Sequence, residues 1–181
     1  MSCQATPSSC KIIISGYFCT GKTSVMELLQ QNFGLKKPKA YTTRQMRPNE
    51  KEGFPYSFIS EEKFSELERI GKLFDPITHA GNRYAGDREA LYADEGWVMD
   101  ILPDSWSIYS KIPGVVGIYL IPPSKEVLRK RAIERGDTPE SINRRIEAIK
   151  PQDPELYHHA IEPQKSLQDL YGRIISIVSG V

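Results

Sequence analysis

The chain has 181 residues, of which 39% are hydrophobic, and this length predicts one globular domain with a sizeable buried core. Its 24 lysines and arginines nearly balance 23 aspartates and glutamates, and the net charge of +1 excludes a strongly basic nucleic-acid-binding protein. No stretch approaches the ~20 apolar residues of a membrane span, and three cysteines without C-x-x-C spacing indicate a reducing compartment, so we expect a cytoplasmic protein.

The start of the chain predicts a strand, a loop and a helix. Residues 1–10 are polar and lack the charged and apolar regions of a signal peptide, so we expect a flexible leader ahead of a single domain over 11–181. Residues 11–15 include three consecutive isoleucines, which is typical of a buried strand. Apolar side chains at helical spacing then predict a helix over 22–32, and Gly34 supplies its end.

Residues 36–87 differ from the rest of the chain in their many prolines and glycines and their short aromatic runs. This composition predicts short strands joined by turns. One helix is expected within the segment, because Ser60 is a suitable N-cap and Gly71 a typical end signal. Its apolar positions at helical spacing are Phe64, Leu67 and Ile70. We interpret 36–87 as a lobe inserted into the domain.

Strands and helices alternate in the rest of the chain. Apolar runs predict strands over 97–101, 115–121 and 157–161. The predicted helices are 88–95 with Asp87 as its cap, a short helix after Pro103, one from Ser124 to Arg135, one that starts at Pro139 with Thr138 as its cap, and a closing helix over 163–178. The side chains of the closing helix that are expected to face inward are Leu167, Leu170, Ile174, Ile175 and Val178. Such alternation predicts an α/β fold, a mostly parallel sheet with helices on both faces.

A glycine-rich loop joins the first predicted strand to the first helix. Residues 16–23 fit G-x-x-x-x-G-K-[ST], the pattern of a phosphate-binding loop. In that pattern backbone N–H groups and the helix N-terminus surround phosphate oxygens, Lys22 reaches the β- and γ-phosphates, and the hydroxyl of Thr23 ligates Mg²⁺. The predicted ATP-binding residues are Gly16, Tyr17, Phe18, Cys19, Thr20, Gly21, Lys22, Thr23 and Ser24. The alternative is a turn that only connects strand and helix.

Asp100 lies near the end of a predicted strand. A carboxylate at this edge of a parallel sheet can approach a bound Mg²⁺ directly or through water. Asp100 is therefore the second predicted metal ligand beside Thr23. The alternative is an aspartate that caps the following helix.

Arginines occur in short, paired spacings at two places. Arg44 and Arg47 flank a predicted turn, whereas Arg131 and Arg135 lie four residues apart on one helix face, where like charges repel unless an anion lies between them. Arginine binds phosphate oxygens through a planar fork of donors. Because the chain also has a phosphate-binding loop, the two groups of arginines predict two phosphoryl substrates. The alternative for any single arginine is an ordinary solvated charge at the surface. The sequence has no N-K-x-D element of a guanine-reading GTPase.

Several motifs that follow one another along the chain resemble the guanylate kinase family. Two are similar to the family's monophosphate-binding lobe and two to its lid. They are Thr42-Thr43-Arg44-x-x-Arg47-Pro48-x-Glu50-x-x-Gly53-x-x-Tyr56-x-Phe58-x-Ser60, Gly81-Asn82-x-Tyr84, Arg131-x-x-x-Arg135-Gly136 and Glu140-Ser141-Ile142-Asn143-Arg144-Arg145. The resemblance covers nearly all of the chain after residue 10. It implies a P-loop kinase fold with an inserted monophosphate-binding lobe over 36–87 and a mobile lid over 131–150.

The resemblance also implies an activity, namely phosphoryl transfer from ATP with Mg²⁺ to a nucleoside monophosphate, most simply GMP or dGMP. The implied catalytic residues are Lys22, Arg44, Arg131, Arg135 and Arg145. The implied monophosphate-binding residues are Arg44, Arg47, Glu50, Tyr56, Asp75 and Tyr84. The partners would be small nucleotides, neither nucleic acid nor a membrane, and the chain would be a monomer or a homodimer.

Four positions that read the base in this family differ here. Ala40 replaces a serine, Asp75 a glutamate, Gly86 a serine or threonine, and Leu102 a second aspartate. Because the phosphate-binding positions are kept while base contacts are fewer, one alternative is a kinase of the same fold with another acceptor, either a different nucleotide or a sugar phosphate. The other alternative is a non-catalytic binding module, which the intact phosphate loop opposes.

Overall fold

The computed structural model describes residues 10–46, 50–53 and 56–180. Within them the chain divides into a lobe unit, Pro38–Asp94, and a core unit made of the segments before and after it. The strands are β1 (Lys11–Ser15), β2 (Ala40–Thr42), β3 (Ser57–Phe58), β4 (Leu73–His79), β5 (Asn82–Asp87), β6 (Trp97–Ile101), β7 (Val115–Leu120) and β8 (His159–Ile161). The helices are α1 (Lys22–Phe33), α2 (Glu61–Arg69), α3 (Arg88–Tyr92), α4 (Trp106–Tyr109), α5 (Lys125–Glu134), α6 (Pro139–Glu147) and α7 (Leu167–Val178).

The core unit contains a parallel sheet with the strand order β6-β1-β7-β8. Ile12, Ile13 and Ile14 of β1 are fully buried, as expected for a strand that is covered on both faces. On one face, α1 and α7 pack against the sheet. On the other face α4 approaches so closely that a Cβ added at Gly117 would lie 2.1 Å from the ring of Trp106. The predicted parallel sheet with helices on both faces is therefore confirmed.

The lobe unit contains a second, mixed sheet with the strand order β3-β2-β5-β4. β2 pairs in parallel with β3 and antiparallel with β5, and β5 pairs antiparallel with β4. Phe64 and Leu67 of α2 pack in the core of this unit, as their spacing predicts. The third predicted position, Ile70, is 56% exposed because α2 ends at Arg69, one residue before it.

Local capping explains where several helices begin. The predicted caps Ser60, Asp87, Ser124 and Thr138 each accept a hydrogen bond from the backbone N–H three residues further on. Each cap satisfies one of the N–H groups that the first turn of a helix leaves without an intrahelical partner. None of the helices in the described part of the chain combines the length and the apolarity needed to cross a membrane.

Three elements begin or end two or more residues inside their predicted bounds. α3 ends at Tyr92, because Ala93 already adopts an extended conformation. β8 starts at His159, because residues 154–156 form a short 3₁₀ turn and the pairing with β7 begins only at His159, while Tyr157 stacks on Trp106. α7 starts only after Ser166, whose side chain caps it.

The buried face of α7 is also narrower than predicted. Leu170, Ile174 and Val178 are buried at i, i+4 and i+8, which confirms three of the five inward positions. Leu167 and Ile175 are exposed, because the first occupies the solvent-facing initial turn and the second lies beside the buried stripe rather than on it.

Candidate active site

The loop between β1 and α1 is held in shape by its glycines. A Cβ added at Gly16 would lie 2.9 Å from the hydroxyl of Thr20 and 3.1 Å from the carbonyl oxygen of Leu120. Gly21 precedes α1 with φ +100°, a conformation that residues with side chains rarely adopt. Gly21 also supplies no side-chain cap, so the first N–H groups of α1 are available to an anion. The residues predicted to bind ATP all lie in this loop or in the first turn of α1.

Lys22 is folded back over its own loop. Its ammonium donates a 2.6 Å hydrogen bond to the carbonyl oxygen of Tyr17, which also accepts a 2.8 Å bond from the Thr20 hydroxyl. Desolvation lowers the pKa of the Lys22 ammonium to about 8, although the carboxylate of Asp100 opposes this shift. The ammonium is therefore charged at neutral pH but poorly solvated, a state that a phosphate oxygen would stabilise.

Asp100 lies on β6 in an ion pair that the sequence did not indicate. The ammonium of Lys37 donates a 3.1 Å hydrogen bond to Asp100 Oδ1, and both side chains are largely buried. Burial alone would raise the pKa of the Asp100 carboxyl, but the positive charges of Lys37 and Lys22 outweigh it and hold the pKa below its usual value. Asp100 is therefore ionised at neutral pH, next to two ammonium groups.

The chemistry of these side chains fits Mg²⁺. Mg²⁺ prefers oxygen ligands and keeps several waters, so that one or two protein oxygens and the substrate phosphates suffice to hold it. Thr23 offers an exposed hydroxyl on the first turn of α1, and Asp100 offers an ionised carboxylate. The described residues contain no group of three or more histidine, cysteine, aspartate or glutamate side chains that could hold a metal ion by themselves.

The helices α5 and α6 place arginines against the same loop. Arg131 Nη1 donates a 3.1 Å hydrogen bond to the carbonyl oxygen of Cys19. The guanidinium of Arg145 lies 5.9 Å from the ring centre of Phe18, within reach of a cation–π interaction. Two of the three arginines implied for the lid therefore contact the phosphate loop directly.

The third arginine, Arg135, is linked to this group through Asp137. The Asp137 carboxylate accepts hydrogen bonds from both Arg135 and Arg145. The charges of these two arginines also reach Lys22, whose pKa they help to lower. The core unit thus brings Lys22, Asp100 and all three arginines together.

In the lobe unit, Arg44 is buried and held by a bidentate ion pair. Its Nη1 and Nη2 atoms donate to the two carboxylate oxygens of Glu50, each at 2.9 Å, and Nη1 also donates to the carbonyl oxygen of Gln45 at 2.8 Å. Burial disfavours the charged form, but Glu50 outweighs this and raises the pKa of Arg44 above its usual value. Arg44 is a permanent, immobile positive charge.

Aromatic rings surround this guanidinium. The centres of the Phe58 and Tyr56 rings lie 5.3 and 6.0 Å from Arg44 Cζ, and Tyr84 packs edge-to-face on Tyr56 with ring centres 5.7 Å apart. Tyr56 and Tyr84, both predicted to bind the acceptor phosphate, therefore belong to one cluster with Arg44 and Glu50. Of the other two predicted monophosphate-binding residues, Asp75 lies on β4 and Arg47 lies outside the described residues.

Three of the four predicted base-reading positions lie in the lobe unit, on β4, β5 and the neighbouring strand β2. The fourth, Leu102, directly follows β6 in the core unit. Asp75 occupies a bulge of β4 with φ +49°, opposite the stretch of β5 between Tyr84 and Gly86. Ala40 and Gly86 are direct cross-strand partners. The two positions that lack a hydroxyl therefore face each other across one pair of strands.

Sequence reasoning missed two residues of the core unit that hold charged side chains of the site. Asp137 follows the Arg135-Gly136 motif by one residue, so its position was a signal that could have been used. Lys37 is separated from Asp100 by 63 residues, and no pattern in the sequence connects them. Their contact depends on the segment after α1, where Lys36 pairs with Trp97 at the start of β6.

Comparison with known proteins identifies the family. The guanylate kinase family model matches residues 8–179. A guanylate kinase of Alkalilimnicola ehrlichii is 30% identical over 178 residues, covering 93% of this chain and 85% of its relative. One from Trichormus variabilis is 38% identical over 152 residues, covering 80% and 76%. The chain belongs to the guanylate kinase family.

A solved guanylate kinase structure agrees with this assignment at the level of the fold. The protein from Anaplasma phagocytophilum superimposes with a TM-score of 0.67 at 23% identity, covering 96% of this chain and 86% of its own. The predicted family and the predicted P-loop kinase fold are therefore confirmed. As a guanylate kinase family member the chain is a nucleoside monophosphate kinase, a transferase that acts on nucleotides.

Proposed function

We propose that this chain transfers the γ-phosphoryl group of ATP to GMP or dGMP by an in-line, Mg²⁺-assisted reaction. The observation that carries the proposal is the grouping of Lys22, Asp100 and three arginines around an intact phosphate loop in a guanylate kinase family member. Phosphoryl transfer asks a protein for positioning and for stabilisation of charge on the transferring group, and these side chains supply both.

On the donor side, Lys22 exchanges the carbonyl oxygen of Tyr17 for the β- and γ-phosphate oxygens of ATP. The loop and the first N–H groups of α1 surround the phosphates. Thr23 and Asp100 would hold Mg²⁺, which, when bound, neutralises charge on the β- and γ-phosphates. The ion pair with Lys37 keeps the carboxylate of Asp100 ionised and fixed for this role.

On the acceptor side, the phosphate of the monophosphate binds to Arg44, Tyr56 and Tyr84, with Arg47 as a further donor. Glu50 holds the guanidinium of Arg44 in place, so binding does not require the side chain to be ordered first. The acceptor phosphate is largely dianionic at neutral pH because its second pKa is near 6, so the reaction needs no general base.

We propose that residues 131–150 act as a mobile lid and residues 36–87 as the acceptor lobe. Arg131 is bonded to the carbonyl oxygen of Cys19, and Arg135 and Arg145 are bonded to Asp137; all three would exchange these partners for oxygens of the transferring phosphoryl group. Closure of the lid would exclude water and so prevent loss of ATP by hydrolysis. We further propose that the chain acts in the cytoplasm as a monomer or homodimer.

A kinase of the same fold with another acceptor remains the second candidate, and a specific observation favours it. Ala40 and Gly86 face each other where hydroxyls would otherwise contact a base, and Asp75 is one methylene shorter than glutamate. Guanine still suits this site better than adenine, because its N1–H and N2–H groups are donors for a carboxylate. A binding module without activity would not need the ordered Lys22 and Asp100.

The experiment that tests the proposal is a screen of ATP consumption with Mg²⁺ and each of GMP, dGMP, AMP, CMP, UMP, IMP and ribose bisphosphate. The product is identified by ³¹P NMR, so that hydrolysis is distinguished from transfer. We expect GDP and dGDP to form fastest. Preferred turnover of a sugar phosphate or of another nucleotide would establish the second candidate instead. A lack of transfer to every acceptor would indicate a non-catalytic binding module.

A further inference from the structure

Tyr17 of the phosphate loop reaches across to the segment that follows α6. The side chain is buried, and its hydroxyl donates a 2.9 Å hydrogen bond to the carbonyl oxygen of Lys150. The same hydroxyl accepts a 3.0 Å hydrogen bond from the backbone N–H of Lys150. One side-chain atom thus satisfies both backbone groups of a residue 133 positions away in sequence.

The segment that Tyr17 holds is short and is fixed at a second point. The side chains of Lys150 and Gln152 bond to the two carboxylate oxygens of Asp104 at 2.8 and 3.1 Å. Asp104 lies just after β6, the strand that carries Asp100. Residues 150–152 are therefore bonded both to Tyr17 of the phosphate loop and to Asp104, which follows the strand that carries Asp100.

The other end of Tyr17 is attached to Lys22. Its carbonyl oxygen accepts hydrogen bonds from the Lys22 ammonium and from the Thr20 hydroxyl. Phe18, the next residue, packs with Cys19 against a cluster of α5 and α6 residues and lies beside Arg145. Tyr17 therefore connects the backbone that holds Lys22 to the end of the helix that carries Arg145.

We propose that Tyr17 is a positioning residue, whose hydroxyl anchors the C-terminal end of α6 to the phosphate loop and so sets the placement of Arg145. The effect on catalysis rests on the proposed function, because Arg145 acts there on the transferring phosphoryl group. With this anchor, α6 moves about a fixed point at Lys150, and Arg145, five residues earlier in the chain, remains within reach of the donor phosphates.

The chain offers a matched pair of variants. Tyr17→Phe removes the hydroxyl and keeps the buried ring. Tyr157→Phe removes another buried tyrosine hydroxyl, which bonds to Ser15 Oγ at 2.9 Å and to the carbonyl oxygen of Pro103 at 3.3 Å rather than to the end of α6. A general loss of stability would affect both variants, whereas loss of the anchor would affect Tyr17→Phe alone.

The first measurement is hydrogen exchange of the Lys150 amide, followed by NMR in the full chain without nucleotide. Lys150 is exposed, so the protection of its N–H comes from the hydrogen bond to Tyr17. We expect exchange of this amide to be about tenfold faster in Tyr17→Phe than in the wild type. It should be unchanged in Tyr157→Phe.

The second measurement is steady-state kinetics with GMP and ATP. We expect Tyr17→Phe to lower kcat by about three- to tenfold and to leave the KM for GMP unchanged, since the anchor acts only through Arg145. In an Arg145→Ala background, Tyr17→Phe should have no further effect on kcat.

An unchanged exchange rate of the Lys150 amide in Tyr17→Phe would show that the Tyr17 hydroxyl does not anchor this segment. Equal losses of kcat in Tyr17→Phe and Tyr157→Phe would show that the hydroxyl does not position Arg145. Fully additive losses of kcat in Tyr17→Phe and Arg145→Ala would show the same. Failure of the proposed function gives a different result. In that case the wild type does not phosphorylate GMP at all, while the Lys150 amide still reports whether the anchor exists.

Discussion

The two groups of arginines in this molecule are held in opposite ways. In the lobe unit, Arg44 is 9% exposed and its guanidinium is fixed by both oxygens of Glu50 and by two aromatic rings. In the core unit, Arg131 is exposed and the side chain of Arg135 is 39% exposed, with a carbonyl oxygen and Asp137 as their partners. The first arrangement is fixed before a substrate arrives, and the second has partners that solvent can replace.

This difference matches the two tasks that phosphoryl transfer imposes. A group that binds an acceptor phosphate in the ground state gains from being rigid, because no side-chain entropy is lost when the ligand binds. A group that stabilises charge only during transfer must be able to leave its resting partner. We therefore infer that Arg44 acts mainly in binding and that Arg131 and Arg135 act mainly in the transfer step.

The largest effect is expected for Lys22, which binds the donor phosphates and stabilises the charge that develops on them. Lys22→Ala should lower kcat by about 10²–10³-fold, because it removes a fixed positive charge from the developing charge on the β- and γ-phosphates. Lys36→Ala is the matched control, since the side chain of Lys36 is exposed and forms an ion pair with Glu95 at the surface. The measurement is the steady-state rate of GDP formation. A fully active Lys22→Ala variant would refute the assignment of residues 16–23 as a phosphate-binding loop.

The next largest effect is expected for Arg44. Arg44→Lys keeps the positive charge but loses the planar fork, and should raise the KM for GMP by about 10- to 100-fold with a smaller change in kcat. Arg44→Ala should do the same and also lower stability, because Glu50 loses its buried bidentate partner. Arg69→Ala, an exposed arginine of α2, is the control. A change confined to kcat would show that Arg44 acts in the transfer step.

A smaller effect is expected for the exposed arginines. Arg135→Ala should lower kcat by about tenfold and leave the KM for GMP nearly unchanged, because its contact with phosphate forms fully only during transfer. Arg129→Ala is the matched control on the same helix, since Arg129 bonds to Asn143 and not to the group around the phosphate loop. Kinetics at saturating ATP separate the two parameters. An effect of Arg135→Ala on the KM for GMP alone would show that Arg135 does not act in the transfer step.

The smallest effects concern the choice of base. A hydrogen bond to a carboxylate contributes about 1.5–3 kcal/mol and a neutral one about 0.5–1.5 kcal/mol. Asp75→Asn should therefore reduce kcat/KM for GMP by at least about tenfold without weakening ATP binding, and Ala40→Ser should raise the ratio of GMP to AMP turnover a few-fold. Indifference to Asp75→Asn would favour an acceptor other than a purine nucleotide.

Features that depend on neighbouring residues could be predicted from the sequence. The isoleucines of β1, the glycines of the loop and the caps Ser60 and Thr138 act over a few residues, so their patterns indicate their structure. The predicted start of α7 at Pro163 is wrong, because the helix begins only after Ser166, whose side chain accepts a hydrogen bond from the backbone N–H of Asp169.

Long-range pairings could not be predicted in this way. Lys37 with Asp100 and Tyr17 with Lys150 join residues 63 and 133 positions apart, and each forms only because strands and helices of the core unit pack together. The resemblance implied that Arg44 and Glu50, six residues apart, both belong to the monophosphate site, but it did not predict their bidentate ion pair, which is a property of the folded lobe.

The contrast between the two arginine groups is tested most directly by calorimetric titration of GMP into the wild type, Arg44→Lys and Arg135→Ala without ATP. At equilibrium no transfer occurs, so only ground-state contacts contribute to the Kd. We predict that Arg44→Lys raises the Kd for GMP at least about tenfold and that Arg135→Ala changes it less than about twofold. An equal loss of GMP affinity in both variants, or a loss in Arg135→Ala alone, would contradict it.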